Sequence, residues 1–485
     1  MRRSQFQIYL WAVGVLQPVT PTAIRRFLEK AFPNASEGLR TKDVKEKLEE
    51  MFEVHLVVRA LNDIDYLYSL TQLGSQVIPY KLRKHRDKAR IFFLKDVAQA
   101  ARKSCKLKEQ GLELTGVSPV SESSSNIQHR RPIATLADTV DRIYWSPIFK
   151  QHNKFAGPNP CSDSLCFDLY SFSSTDELAN ACMVLELDRL NLDIGQLATA
   201  IGVSPNLLTS LGNKSESFYR RFEIGKRSGG RRVIHSPRVF LKTVQYWILD
   251  YILYSLPLND SCHSFRRGHS ILTNANNHVG SKFVANIDIV DYFGSISEGL
   301  IRRRLLSHFG SALSMWIAKL CTANDSLPQG APTSPILSNF CLKNFDDRMN
   351  QFCDETSLQY SRYADDITIS GDCIDSVRRS LDFATQELAI YRLKINQKKT
   401  RIASLSGQQN VTGVVVNQVA QPPRKLRKRI RAMFHQASLH PEKYYARVNE
   451  LQGYISYIKG YPHLADKKCI SDYEGILASL KSHIL

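Results

Sequence analysis

The sequence predicts an α+β fold, because helix-like and strand-like patterns alternate through most of the chain. The chain has 485 residues, of which 43% are hydrophobic, so it can bury more than one core. The stretch Gly116–Pro132, GVSPVSESSSNIQHRRP, is rich in serine and lacks apolar periodicity, which predicts a flexible linker. We therefore expect a helical N-terminal domain with a hairpin at 1–110, a linker at 111–135, a mixed body at 136–405 and a basic helical domain at 406–485.

The strongly basic composition favours a polyanionic partner. Lysine and arginine total 65 against 46 acidic residues, a net charge of +19, so nucleic acid or an anionic membrane is expected. The membrane alternative is weak, because the longest apolar stretch, Tyr246–Leu256, contains Asp250 and is too short to span a bilayer. The apolar run Ile8–Leu16 follows two arginines as in a signal peptide, but no small-residue cleavage site comes after it.

The ten cysteines carry no metal or disulfide pattern. They form no CxxC pair and no zinc-type group with histidine, and the closest pair is Cys161 and Cys166 in a loop-like stretch. We expect reduced thiols in a cytoplasmic protein without a membrane partner.

The N-terminal residues predict two helices followed by a hairpin. Thr20 and Thr41 can each begin a helix with apolar residues along one face. The phrase Leu70–Gly74, LTQLG, resembles the third-helix region of winged-helix domains. Lys81–Arg90 holds six basic residues and one acid, and the apolar Ile91–Leu94 follows, which predicts a basic wing returning into a strand. A nucleic-acid-binding arm and a charged hairpin on a protein adaptor explain this pattern equally well.

Three aspartates form the strongest candidate site. Asp365 and Asp366 lie between short β-prone runs in SRYADDITIS, which places them at the tip of a hairpin. Their apolar flanks predict a buried hairpin, where unpaired charges are costly unless a cation binds them. Asp288 ends the apolar strand in FVANIDIVDYFGSI and can reach the pair only through folding. Carboxylates that meet in this way suit two Mg²⁺ ions and phosphoryl transfer.

Two segments upstream of the hairpin add a turn and a cationic loop. In LPQGAPTSPILSN, Gln329 and Gly330 form a turn before a helix, and the glycine allows close backbone approach to a base pair. In FEIGKRSGGRRVIH, Lys226, Arg231 and Arg232 flank a Gly-Gly turn, and cations on a hairpin can fold over a triphosphate.

Taken in order, these segments resemble the reverse transcriptase family over Leu190–Tyr461, with the YADD box at Tyr363–Asp366 and the QGAPTSP box at Gln329–Pro335. The resemblance implies a right-hand polymerase with fingers, a palm built on a small antiparallel sheet, and a helical thumb. It implies that Asp288 and Asp365 bind the two Mg²⁺ ions, with Asp366 in support.

The same resemblance implies the nucleotide contacts. Phe293 would exclude the sugar 2′-hydroxyl as a steric gate, and Lys226 and Arg232 would contact the incoming deoxynucleoside triphosphate. Gln329 and Gly330 would lie beside the nascent base pair.

Two short motifs narrow the resemblance to bacterial retron reverse transcriptases. Asn274–His278, NANNH, is similar to their Asn-Ala-x-x-His motif, and Val411–Gly413 is similar to their Val-Thr-Gly motif. The resemblance assigns nucleic-acid contacts to Asn274, His278, Val411, Thr412 and Gly413. The alternatives are a core histidine with satisfied hydrogen bonds and a strand that ends in a turn.

The C-terminal segment RKLRKRIR carries six cations and no acid. On a helix these charges cannot all face protein, so one broad face should meet phosphates. The predicted nucleic-acid contacts here are Arg424, Lys425, Arg427, Lys428 and Arg431.

Retron resemblance implies a dedicated non-coding RNA that serves as template and primer, and a branched RNA–DNA product. It also implies a separate effector protein in anti-phage defence and, since no ribonuclease H segment is recognised, a host ribonuclease H. The alternatives are an abortive-infection polymerase that makes untemplated DNA, a group II intron enzyme, and a scaffold that binds RNA and an effector with catalysis secondary.

Overall fold

The computed structural model describes residues 3–31, 38–62, 65–78, 86–91, 94–95, 188, 190–225, 229–266, 268–465 and 468–482. These residues belong to two compact units. The first unit comprises Met1–Leu256 with Ser297–Ser334, and the second comprises Pro257–Ile296 with Pro335–Leu485. The predicted linker lies outside the described residues, so the domain bounds stay a prediction.

The first unit begins with helices and one hairpin. The helices are Arg3–Leu16, Pro21–Ala31, Thr41–Glu53 and Gln72–Val77, and strands β1 (Val57–Asn62) and β2 (Asp65–Leu70) pair antiparallel. The two helices predicted at Thr20 and Thr41 are confirmed. The apolar run that superficially resembles a signal peptide is a helix, and its residues from Leu10 to Leu16 other than Gly14 are at most 2% exposed.

The described part of the basic segment near residue 90 differs from the predicted wing and strand, and residues 81–85 and 92–93 lie outside the described residues. Residues 86–91 are helical. Arg86 and Arg90 are 2% and 0% exposed, and Arg86 forms an ion pair of 2.9 Å with Asp87. Helical spacing puts the two arginines on one face, where Arg90 donates to the carbonyls of Ile201 and Val15 at 2.8 and 3.0 Å. Acceptors in distant chain segments therefore decide the structure, and the local charge pattern cannot reveal them.

The N-terminal residues share the first unit with the segment that follows the predicted linker. Gln17 Nε2 donates to the Thr199 carbonyl at 2.7 Å. Asp87 accepts from the backbone N–H of Ser204 at 2.9 Å and from its hydroxyl. These buried polar contacts join the two sides of the linker rather than leaving the N-terminal residues as a separate body.

The remainder of the first unit carries a basic hairpin and helices. Strands β3 (Tyr219–Gly225) and β4 (Arg231–Pro237) pair antiparallel. The helices are Ile194–Ile201, Pro205–Asn213, Val239–Tyr251, Glu298–Leu305 and Ser311–Cys321. Gln245, fully buried, donates to the Tyr219 hydroxyl at 2.7 Å and to the Leu320 carbonyl at 2.8 Å, and so fixes the base of the hairpin.

The second unit contains the predicted small antiparallel sheet. Its strand order is β6-β7-β5-β8, with β5 at Phe283–Asp288, β6 at Gln359–Tyr363, β7 at Asp366–Gly371 and β8 at Arg401–Ser404. The helices Lys343–Glu355 and Ile374–Ile390 pack on the sheet and on each other. The helices Ser334–Cys341 and Ile271–Asn276 complete this part of the chain.

The C-terminal residues are helical, as predicted. A two-stranded ladder of β9 (Asn410–Val411) and β10 (Val414–Val415) precedes helices Arg424–Leu439, Val448–Lys459, Pro462–Ala465 and Lys468–Ser482. Their shared core includes Phe434, Leu451, Ile455 and Leu477. Along the described part of the chain, every helix is too short or too polar to cross a bilayer.

Candidate active site

The YADD segment forms the turn of the β6–β7 hairpin. Tyr363 pairs with Asp366 across the two strands, which leaves Ala364 and Asp365 as a two-residue turn. Ala364 adopts a positive φ of 58°, as tight hairpin turns demand of a turn residue. The following Ile367 is fully buried. The hairpin predicted from sequence is therefore present, with the two carboxylates at its tip.

Strand β5 brings the third aspartate to the same end of the sheet. Asp288 pairs with Asp366 in the β5–β7 register, and side chains of paired residues lie on the same face about 5 Å apart. The backbone N–H of Ile289 donates to the Asp365 carbonyl at 3.1 Å. The structure thus brings the three predicted acids together.

A lysine that sequence reasoning did not select contacts one of these acids. Lys399 Nζ donates to both carboxylate oxygens of Asp288, at 2.8 and 2.9 Å. Asn396 holds the same carboxylate through its side chain at 3.3 Å and the Asp288 carbonyl through its N–H at 2.8 Å. The hydrogen bond to Asp288 raises the pKa of Lys399. The available signal was the basic run in LKINQKKTR that follows the hairpin.

The mutual repulsion of the three aspartates favours binding of a positive charge beside them. Partial removal from water, followed by the charges of Asp365 and Asp288, raises the pKa of Asp366 to about 6. Carboxylate oxygens are the donors that hard divalent cations such as Mg²⁺ prefer, so the chemistry of the donor set fits this metal. Within the described ranges no three His, Cys, Asp or Glu side chains are grouped as a metal site, and Lys399 forms an ion pair with Asp288.

The predicted steric gate follows β5 directly. Phe293 is half-buried, and its ring centroid lies 5.3 Å from that of Tyr292, which is 4% exposed. The preceding Asp291 has a positive φ of 44°, so the chain turns sharply between the strand and the gate.

Within the first unit, the predicted turn at Gln329 and Gly330 packs on β4. The Gln329 carbonyl accepts from the N–H of His235 at 2.8 Å. Gly330 has a φ of 128°, and a Cβ there would lie 2.9 Å from Ile234 Cγ2 and 3.0 Å from the His235 carbonyl oxygen. Glycine is therefore required for contact with β4, a reason that the sequence prediction did not include.

The cationic residues of the β3–β4 hairpin are only partly described. Arg232 is exposed on β4 and pairs with Ile224. Arg231 is exposed and forms an ion pair of 3.0 Å with Glu223, which leaves Arg232 the better candidate for an anionic ligand. Lys226 lies outside the described residues.

The two motifs assigned to nucleic-acid contact occupy a different place. Asn274, His278 and Val411 are 0% exposed. The ring nitrogens of His278 lie 2.8 Å from Ser370 Oγ and 2.7 Å from Ser361 Oγ. The predicted direct contact is therefore corrected for these residues, because no surface of them is accessible and both histidine nitrogens already bond to palm strands.

The NANNH and VTG motifs contact each other. Asn274 Nδ2 donates to Thr412 Oγ1 at 3.4 Å, and the helix Ile271–Asn276 packs on the β9–β10 ladder. Thr412 and Gly413 have positive φ values of 47° and 87° and form the exposed end of that ladder. This turn and the exposed Asn276 and Asn277 are the parts of the two motifs that offer surface to a ligand.

The basic C-terminal helix has one buried and one exposed face. Ile430, Met433, Phe434 and Ala437 are buried. The exposed predicted contacts are Arg424, Lys425, Lys428 and Arg431, with Arg427 partly buried. This cationic face is available to phosphates.

The fold and the carboxylate cluster together define a template-directed nucleotide polymerase. Residues 224–426 match the family model described as reverse transcriptase (RNA-dependent DNA polymerase). The chain is 34% identical over 286 residues to the Retron Mx65 reverse transcriptase of Myxococcus xanthus, with 54% of this chain and 67% of that protein covered. It is 30% identical over 283 residues to the Retron Ec86 reverse transcriptase of Escherichia coli, with 58% and 88% covered. The chain belongs to the retron reverse transcriptases and is an RNA-directed DNA polymerase.

Solved telomerase structures show a weaker likeness. An apo telomerase from Candida tropicalis matches with a TM-score of 0.31 and 15% identity, covering 45% of this chain and 59% of that one. A Candida albicans telomerase in complex with a fragment of telomeric RNA matches with a TM-score of 0.34 and 10% identity. This match covers 54% of this chain and 63% of that one. The chain thus spans about three fifths of each telomerase chain, and the fold assignment rests on its own elements and the family model.

Proposed function

We propose that this reverse transcriptase copies a dedicated non-coding RNA, used as both template and primer, into a branched RNA–DNA hybrid. Chemistry would take place at Asp288, Asp365 and Asp366. The observation that carries the active-site assignment is the cross-strand pairing of Asp288 with Asp366 at the YADD turn.

Asp288 and Asp365 would hold the metal, and Asp366 would support them through its neighbouring charge. Two bound Mg²⁺ ions would activate the primer hydroxyl and stabilise the leaving pyrophosphate. Lys399 donates to both carboxylate oxygens of Asp288 and would orient this carboxylate, which would help to hold the metal.

The remaining assignments follow the resemblance of the sequence motifs to the reverse transcriptase family. Phe293 would exclude the 2′-hydroxyl of a ribonucleotide, and Lys226 and Arg232 would bind the triphosphate of the incoming deoxynucleotide. Gln329 and Gly330 would support the nascent base pair from their turn on β4. The exposed cations of the helix Arg424–Leu439 would follow the phosphates of the template–product duplex.

The partners that we propose are the retron RNA, its DNA product, a host ribonuclease H and a separate effector protein in anti-phage defence. The helices and the β1–β2 hairpin before residue 71 support a winged-helix-like N-terminal extension. Its partner would be nucleic acid or protein, and both remain in the proposal because winged helices serve both uses.

Replacing both turn aspartates tests the active site. Asp365→Asn with Asp366→Asn should abolish DNA synthesis in primer extension, because the carboxylate charge that holds the metal is removed. RNA binding, measured by filter retention, should persist because the basic helix is untouched. Near-normal extension by the double variant would refute the assignment.

A further inference from the structure

A fully buried arginine lies directly beneath the catalytic turn. Arg362 is on β6, three residues before Asp365, and is 0% exposed. Its Nε and Nη2 donate to the two carboxylate oxygens of Asp346 at 2.7 and 2.6 Å. Tyr360 also donates its hydroxyl to Asp346, at 2.7 Å. This bidentate pair uses one edge of the guanidinium and leaves Nη1 for other acceptors.

The free edge of the guanidinium reaches the catalytic turn. Arg362 Nη1 donates to the Ala364 carbonyl at 3.1 Å. The Ala364 N–H donates in turn to Ser264 Oγ at 2.8 Å. Ala364 has a positive φ of 58°, a strained conformation that costs free energy unless its surroundings fix it. These two hydrogen bonds grip the peptide groups on both sides of that residue, immediately before Asp365.

The same nitrogen also reaches the segment that carries the gate. Arg362 Nη1 lies 2.8 Å from the Tyr292 hydroxyl, and Tyr292 precedes Phe293. Asn339 Oδ1 accepts from the same Nη1 at 3.3 Å and from Ser264 Oγ at 3.3 Å. One side chain therefore contacts the chain before Asp365 and the chain before Phe293.

Stability alone is a poor reason to keep this group. A buried ion pair seldom stabilises more than apolar residues of the same volume would, because desolvation offsets the Coulomb attraction. Apolar residues could not, however, supply donors to two separate segments. The guanidinium fork can, because its geometry is rigid and planar.

We propose that Arg362 is a positioning residue that fixes the carboxylate turn and the Tyr292–Phe293 segment in one mutual geometry. Asp346 holds the guanidinium in place. Arg362 Nη1 then fixes the positions of the Ala364 carbonyl and the Tyr292 hydroxyl. This inference rests on the active site proposed above. It implies that one buried side chain influences both the rate of nucleotide addition and the discrimination between ribonucleotides and deoxynucleotides.

The first test replaces the planar guanidinium of Arg362 by an amine that keeps the positive charge. In the full-length Arg362→Lys variant, the turnover rate should fall about 100-fold, the effect expected when reacting groups are misplaced by about 1 Å. The KM for deoxynucleotides and the affinity for RNA should change little, because neither binding surface is altered. A folded variant with a normal turnover rate would overturn the proposal.

Two tyrosines of the same network form a matched pair that remains informative if the lysine variant does not fold. Tyr292→Phe and Tyr360→Phe each remove one buried hydroxyl, but only Tyr292 adjoins the gate. Ribonucleotide incorporation relative to deoxynucleotide incorporation should rise in Tyr292→Phe and stay unchanged in Tyr360→Phe. Equal ratios in the two variants would overturn the coupling to Phe293.

Two controls separate this inference from the active-site assignment. Phe293→Ala should raise ribonucleotide incorporation more than Tyr292→Phe does, which validates the assay. If the Asp365 and Asp366 double variant is inactive while Arg362→Lys is fully active, only the positioning role fails. If the double variant is active, the proposed site itself fails.

Discussion

At the scale of single residues, burial determines whether a titratable side chain is charged in the folded protein. His278 is enclosed completely, and burial, followed by the nearby His263, lowers its pKa to about 3. The imidazole ring of His278 is therefore neutral in the folded protein, with one nitrogen acting as donor and the other as acceptor. This explains why His278 serves the palm strands and not a phosphate, which would favour the protonated form.

The buried ring should make stability depend on pH. The folded-state pKa of His278 lies below its ordinary value of 6.5, so the unfolded chain binds more protons between these values and stability falls as pH decreases from 6.5. At pH 5 the loss relative to pH 7 should be about 2 kcal/mol from this residue.

The measurement compares free energies of unfolding by urea at pH 7 and pH 5. His278→Gln cannot titrate, so its pH 5 penalty should be smaller than that of the native chain by the same amount. His263, whose pKa is lowered to about 4, remains in both proteins and provides a shared background. An identical pH penalty in the two proteins would show that His278 does not carry this linkage.

At the scale of elements, one helix uses one face for packing and leaves the opposite face available for binding. The helix Arg424–Leu439 buries Ile430 and Phe434 and exposes its cations on the other side. Replacing Arg424, Lys425 and Lys428 by glutamine should weaken RNA binding and reduce the slope of log affinity against log salt by about two. Fold and thermal stability should be retained, because none of the three side chains is buried.

The matched control removes exposed cations from another helix. Lys468→Gln with Lys481→Gln lies on the C-terminal helix Lys468–Ser482, and both positions are exposed. This variant should keep the native salt slope. Equal losses of slope per charge removed in the two variants would mean that general positive charge, and not this helical face, attracts the RNA.

Local patterns predict most of the site and its supporting strands. The β6–β7 hairpin follows from two β-prone runs around adjacent acids, and the helix at Thr41 follows from its apolar stripe. Residues 86–91 were predicted to be part of a wing and strand, because nothing local shows that Val15 and Ile201 supply carbonyl acceptors to Arg90. The roles of Lys399 and Arg362 escaped prediction for the same reason, since both depend on partners distant in sequence.

At the scale of the whole molecule, the N-terminal residues should be indispensable for the first unit. Deleting residues 1–95 would remove the hydrogen-bond partners of Thr199, Ile201 and Ser204. The truncated chain should be less soluble and should unfold at a lower temperature. Deleting Pro119–Asn126, within the predicted linker, should leave both properties near native values. Stable, soluble protein from the first deletion would show that these hydrogen bonds are dispensable.

The branched product tests the retron assignment at the same scale. DNA recovered from cells that express the enzyme with its native locus should remain joined to one nucleotide through a 2′–5′ bond after ribonuclease digestion. The active-site double variant is the control and should yield no such DNA. Linear DNA without a branched nucleotide would favour the abortive-infection alternative.

The contacts between Arg90 and both Val15 and Ile201 also have a consequence for synthesis on the ribosome. Arg90 leaves the ribosome 111 residues before Ile201, whose carbonyl accepts its Nε–H. At about 5–20 residues per second the buried guanidinium of Arg90 must wait roughly 6–22 seconds for this acceptor. Closing so long a stretch of chain is slow as well as entropically costly. Nascent chains stalled before residue 194 should therefore be the form of this protein that depends most on chaperones.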